Sequence, residues 1–108
     1  MSLYMTQFGY TSEAWAALVR NPEDRSAAIS GLMESMGSRM VAYYHSFGEY
    51  DGVVIFESPD EITAAAGVLA AITPGHIKTI KTTPLLTVED TMEAMRKAGE
   101  MTYRAPSG

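Results

Sequence analysis

The run Gly52-Val53-Val54-Ile55-Phe56 is apolar throughout, and successive side chains of a β-strand point to opposite faces, so a strand here shows apolar surface on both sides of its sheet. Both sides must then be covered. The chain has 108 residues, which suits one domain of roughly 100–150 residues and leaves little material for a second core. With 46% apolar and 19% charged residues, the latter below the usual quarter or so, it has the composition of a protein that buries a core.

The other elements follow from local signals. Leu3 to Tyr10 is rich in aromatic and β-branched residues and leads into the capping residues Thr11 and Ser12, which predicts a strand followed by a helix. Asn21-Pro22-Glu23-Asp24 predicts a fresh helix start with Asn21 as cap. Ile29, Leu32, Met33 and Met36 then form the buried stripe of this second piece, and Gly37 ends it. Arg39 to Phe47 and Asp51 to Glu57 are predicted as a hairpin around Gly48-Glu49-Tyr50. Ser58-Pro59-Asp60-Glu61 has the form of a capping box, opening a helix to about Thr73 whose buried face is predicted as Ile62, Ala65, Ala66, Leu69 and Ile72. Pro74-Gly75 stops it. Ile77 to Pro84 is a fourth strand, and Thr87-Val88-Glu89-Asp90 opens a last helix with Val88, Met92 and Met95 on one face.

The order strand, helix, strand, strand, helix, strand is the ferredoxin-like split βαβ. The fold class expected is therefore α+β: a four-stranded antiparallel sheet with helices on one face and an added C-terminal helix. A single domain spans 1–108, with a core at about 3–99 and a tail from 100. The two crossover helices can shield only one face of such a sheet. A second copy of the chain is the simplest cover for the other, making the protein itself the first expected partner, as a homodimer or a higher oligomer. The tail Arg104-Ala105-Pro106-Ser107-Gly108 has loop composition, and a neighbouring subunit is expected to hold it.

Several function classes are disfavoured. Without cysteine there is no disulfide, thiolate metal site or cysteine nucleophile. A net charge of −5 with no Lys/Arg run opposes nucleic acid or an anionic membrane as partner. The start Met1-Ser2-Leu3-Tyr4 has neither a basic segment nor a long apolar one, so the expected location is cytoplasmic. Phosphate loops, nucleophile elbows and dinucleotide fingerprints are absent from the sequence. No cofactor and no metal are expected.

Gly48-Glu49-Tyr50-Asp51, the apolar strand after it and Pro59-Asp60 at the following helix resemble the signature of the GYD-domain family. Asn21-Pro22, Gly37, Tyr44, the alanine-rich helix, Ile77 and Thr82 extend the likeness over most of the chain. This resemblance implies a ferredoxin-like subunit of the dimeric α+β barrel group, in which two sheets face one another around a central space. It implies no established biochemical role and carries over no catalytic residue. His45 stands where the family pattern implies an aromatic.

The chemistry-bearing candidates are Tyr43, Tyr44, His45, Tyr50, Asp51 and His76. Alternation puts Tyr43 and His45 on one face of their strand and Tyr44 on the other. His45 beside Asp51 across the hairpin is the candidate general base, with Tyr43 near it. Tyr43, His45 and Tyr50 are the candidate ligand-binding residues, for a small, partly apolar molecule between facing sheets. The bland readings are that Gly48 and Asp51 shape the turn, Tyr50 packs at a subunit edge and His76 is solvated. Of the eight methionines, Met33, Met36, Met92 and Met95 are predicted to fill the core, as Trp15, Leu18 and Val19 do. Three functions stay open: a small-molecule-binding homodimer, a cofactor-independent monooxygenase or isomerase, and a structural or regulatory module without ligand.

Overall fold

A computed structural model describes residues 1–107; Gly108, the end of the predicted tail, lies outside the described residues. The elements are β1 (Ser2–Tyr10), α1 (Ser12–Arg20), α2 (Arg25–Ser35), β2 (Arg39–His45), β3 (Gly52–Ser58), α3 (Glu61–Ile72), β4 (Ile77–Leu85) and α4 (Val88–Gly99). The strands form one antiparallel sheet in the order β2-β3-β1-β4. This is the ferredoxin-like arrangement expected from the element order.

The helix boundaries have identifiable causes. The Thr11 hydroxyl accepts from the N–H of Ala14 and caps α1. Asp24, rather than Asn21, caps α2 by accepting from the N–H of Ser26, so Pro22 lies in the link before the helix and not in its first turn. At the far end of α2, Gly37 has φ +75°, and the N–H groups of Gly37 and Ser38 return to the carbonyls of Glu34 and Met33. This closure needs a left-handed residue, which glycine supplies without steric cost. The cap of α3 is Asp60, whose carboxylate accepts from the N–H of Thr63 at 2.7 Å. The helix cap predicted at Ser58 therefore shifts by two residues, to Asp60. Ser58 is instead the fully buried last residue of β3, its hydroxyl donating to the Asp60 carbonyl.

The core lies between the sheet and α1, α2 and α3. Tyr4, Phe8, Tyr10, Val54, Phe56 and Ala64 are buried there, with Tyr4 stacked on Phe56 at 5.5 Å between ring centres. Trp15, Leu18, Met33 and Met40 complete it. Three predicted core assignments are corrected. In α3 the face turned inward is Thr63, Ala64, Gly67, Val68 and Ala71, while Ile62 (82% exposed) and Leu69 point outward. An almost wholly apolar helix has no single apolar stripe, so periodicity could not choose its face. Val19 faces solvent, and so do Met92 and Met95.

The exposure of Met92 and Met95 reflects the course of α4, which buries none of its residues. The radius of gyration is 17.6 Å, against about 13 Å for a compact chain of this size. The longest axis is 58 Å and the shortest 22 Å. The tail after α4 is likewise exposed through Ser107.

Close approach inside the sheet yields a paired stability prediction. A Cβ on Gly52 would run into the Phe8 ring, whereas one on Gly31, mid-α2, meets nothing within 4 Å. Gly52→Ala is expected to lower the unfolding free energy by about 1–3 kcal/mol through overpacking. Gly31→Ala is expected to raise it by about 0.5–1 kcal/mol. Urea denaturation of the two variants checks both signs.

Candidate functional site

Which way β2 turns its side chains decides what the site contains. Met40 pairs with Phe56 but Ala42 pairs with Ile55, so Val41 is an extra residue in the strand. Such a bulge reverses the alternation beyond it. Tyr43 opposite Val54 and His45 opposite Gly52 therefore lie on the helix-covered face, and Ala42 and Tyr44 lie on the open one. The intersheet position expected for Tyr43 and His45 is corrected accordingly. The open face carries Leu3, Met5, Val53 and Ile55, all half-buried, with Tyr44 67% exposed.

At the helix-covered end of the sheet, aromatic rings from β1, β2, α1 and the residue just before β4 meet. The C-terminal ends of β1 and β2 and the start of β4 come together there, because β1 and β2 run in the same direction with β3 between them. Tyr10 is central. Trp15 meets it edge-on at 5.2 Å, His76 stacks at 6.1 Å, and its hydroxyl lies 3.4 Å from that of Tyr43. Tyr43 in turn contacts the His45 ring edge-on at 5.3 Å. Sequence reasoning placed Tyr43 and His45 together and named His76 as a candidate read as a solvated loop residue, but it missed Tyr10 and Trp15 and the meeting of all three rings. The available signal was topological, since the strand order alone brings these three chain segments to one end.

Burial, followed by the hydrogen bond to Tyr10, pushes the Tyr43 phenol well above its usual value. It is a hydrogen-bond group held in its protonated form. Burial, followed by the positive charge of Arg25, holds the His76 imidazole below its usual value and favours the neutral ring.

Asp51 is engaged elsewhere than the proposed dyad requires. Its carboxylate accepts from the N–H of Tyr10 at 2.8 Å, and its own N–H donates to the Phe8 carbonyl at 2.8 Å. His45 approaches only the Asp51 main-chain oxygen, through Nδ1 at 3.4 Å. Asp51 thus ties the start of β3 to the end of β1 and does not orient the imidazole with its side chain. Tyr50 is half-buried beside this tie, its carbonyl accepting from the Ser46 hydroxyl at 2.7 Å. Gly48 has no positive φ and open space around it; nothing in the structure explains a glycine there.

Beneath α2 and α3 the core leaves a cavity of about 70 Å³, walled by Ile29, Met33 and Met36 on one side and Ala64, Gly67 and Val68 on the other. Tyr10, Tyr43, Arg25 and His76 line it too. A larger open cleft between α1, the α1–α2 link and Pro74 shares Tyr10, Arg25 and His76 with the cavity. Among the described residues no group of three or more His, Asp or Glu could hold a metal ion, and no helix is long and apolar enough to cross a membrane.

The sheet order, the one-sided helices and the Asp51 tie define a ferredoxin-like α+β domain. The sequence profile of the GYD domain matches residues 4–95, and the chain belongs to that family. It is 34% identical over 70 residues to the "Glutamine synthetase and cystathionine beta-lyase binding protein" of Thermus thermophilus, covering 65% of this chain and 74% of that one. Among solved structures it is similar to MtbAldR, with a TM-score of 0.56 and 12% identity over 80% of this chain and 52% of that one. The chain therefore corresponds to about half of MtbAldR. It also resembles 30S ribosomal protein S6 from Thermotoga maritima, with a TM-score of 0.50 and 14% identity over 91% and 97% of the two chains. These last two likenesses concern the fold alone.

Asp51 and His45 separate by mutation. Asp51→Ala leaves the Tyr10 N–H without its partner and is expected to cost about 1–3 kcal/mol. His45→Ala, at an exposed position, is expected to change stability by no more than about 0.5 kcal/mol. Thermal unfolding of both variants checks the contrast.

Proposed function

We propose that this protein is a cytoplasmic, non-catalytic binding module that works as a homodimer, the open faces of two sheets closing on each other as an α+β barrel. The observation that carries this reading is the row Leu3, Met5, Val53, Ile55 and Tyr44 on a sheet face over which the chain places no helix. An apolar sheet face of this kind is stabilised when water is excluded from it, by about 25 cal/mol per Å² buried. Dimerisation leaves the outer side of α3, with Ile62 and Leu69, available to another protein. Its exposure, together with that of Val88, Met92 and Met95 on α4, is what a binding module would present. The Thermus relative, named for binding two enzymes, supports protein binding as the role.

A second reading, a site for a small and partly apolar molecule, is favoured by the cavity under α2 and α3. It puts the molecule within each subunit instead of between sheets. A proton-moving role for His45 or Tyr43, as in a monooxygenase or isomerase, has less support. Tyr43 is held protonated and His45 lacks an orienting carboxylate.

Light scattering at micromolar concentration tests the assembly. The native protein is expected at twice the mass of one chain. Ile55→Lys, which would bury a charge in the joint, is expected at the mass of one chain with an unchanged far-ultraviolet dichroism spectrum. A native protein that stays monomeric would contradict the proposal.

A further inference from the structure

The cavity and the cleft differ in character, and they meet at three residues. The cavity is walled by aliphatic side chains, methionines and small α3 residues. At about 70 Å³ it exceeds the ~10–15 Å³ that one water needs, but apolar walls give water few partners, and such cavities stay dry and accept apolar groups. The cleft is open and carries Arg20 and Arg25 against the single carboxylate of Glu23. Tyr10, Arg25 and His76 belong to both.

Among the described residues, Arg25 is the only charged one lining the cavity. Its side chain is 24% exposed, while Glu23, its one ionic partner among the described residues, is 57% exposed and 3.4 Å away. An ion pair so long and so open to water contributes little to stability, and an incoming anion can replace it. In a chain of net charge −5, two arginines facing one cleft make a local exception of favourable sign for an anion. A guanidinium matches a carboxylate in planar, two-pronged geometry. Neutral imidazole and the phenols of Tyr10 and Tyr43 add hydrogen-bond donors without added charge, which suits a monoanion better than a phosphate.

We infer that this junction binds an amphipathic carboxylate, its short hydrocarbon tail in the cavity between α2 and α3 and its head at Arg25 beside Tyr10 and His76. The inference rests on the small-molecule reading and narrows it to a chemical class.

Hexanoate and hexanol, which share a tail and differ in head group, are the probes, followed by amide chemical shifts of isotope-labelled protein. Both are expected to shift the amides of Ala64, Gly67 and Val68, with hexanoate binding at least about tenfold more tightly, the value of a charge-assisted hydrogen bond. Arg25→Gln is expected to bring hexanoate close to hexanol and leave hexanol unchanged. A Cβ at Gly67 would lie 3.7 Å from the Met36 methyl carbon, ordinary contact distance, so Gly67→Ala should fold normally, partly fill the cavity and weaken both probes. If hexanol binds there but hexanoate binds no better, or if Arg25→Gln leaves hexanoate unchanged, the carboxylate assignment falls and the small-molecule reading survives. If neither probe moves those amides, or Gly67→Ala alters neither affinity, both fall.

Discussion

Both crossover connections of this fold return on the same side of the sheet, and the rest of the molecule depends on that constraint. One face receives α1, α2 and α3 and becomes the core around Tyr4, Phe8, Val54 and Phe56. The opposite face of the same central strands carries Val53 and Ile55 beside Leu3 and Met5, with no connection left to cover it. A single chain therefore solves half of its burial problem. The remedy proposed is an intermolecular contact, and that contact is the centre of the functional proposal.

The hairpin motif has a physical meaning within this frame. Asp51 satisfies the Tyr10 N–H while its own N–H satisfies the Phe8 carbonyl. The end of β1 is thereby fastened to the start of β3, where the ladder would otherwise fray. That fastening holds Tyr10 in place, and Tyr10 holds Trp15, Tyr43 and His76 around it. A motif that could be read as catalytic thus builds the end wall of the cavity.

Element order, strand identity and the fold class were legible because turn residues, caps and the two-sided strand are local signals. Facing was less so, and for specific reasons. The bulge at Val41 reverses the alternation of β2, and no residue type in Met40-Val41-Ala42 announces it. Strict alternation from the partly buried Met40 would have put Tyr43 and His45 on the open side. In α3, apolar residues occur all round the helix, so the inward choice of Ala64 and Gly67 follows from how closely small side chains let it approach the sheet. The amphipathic pattern of α4 was legible, but its burial was not, because α4 finds no cover within its own subunit. The cavity lay beyond any local reading, since its walls come from six separate elements.

Whether the open sheet face is covered in solution is the central question, and the absence of cysteine from the chain makes it directly measurable. A single cysteine placed by Val53→Cys can be compared with one placed by Gly48→Cys, where a side chain meets nothing within 4 Å, in their rates of reaction with a charged, water-soluble thiol reagent at micromolar protein. A covered face requires strong protection at position 53 that is lost on dilution to the monomer. Reaction at position 53 within a few-fold of that at position 48, and independent of protein concentration, would contradict the account.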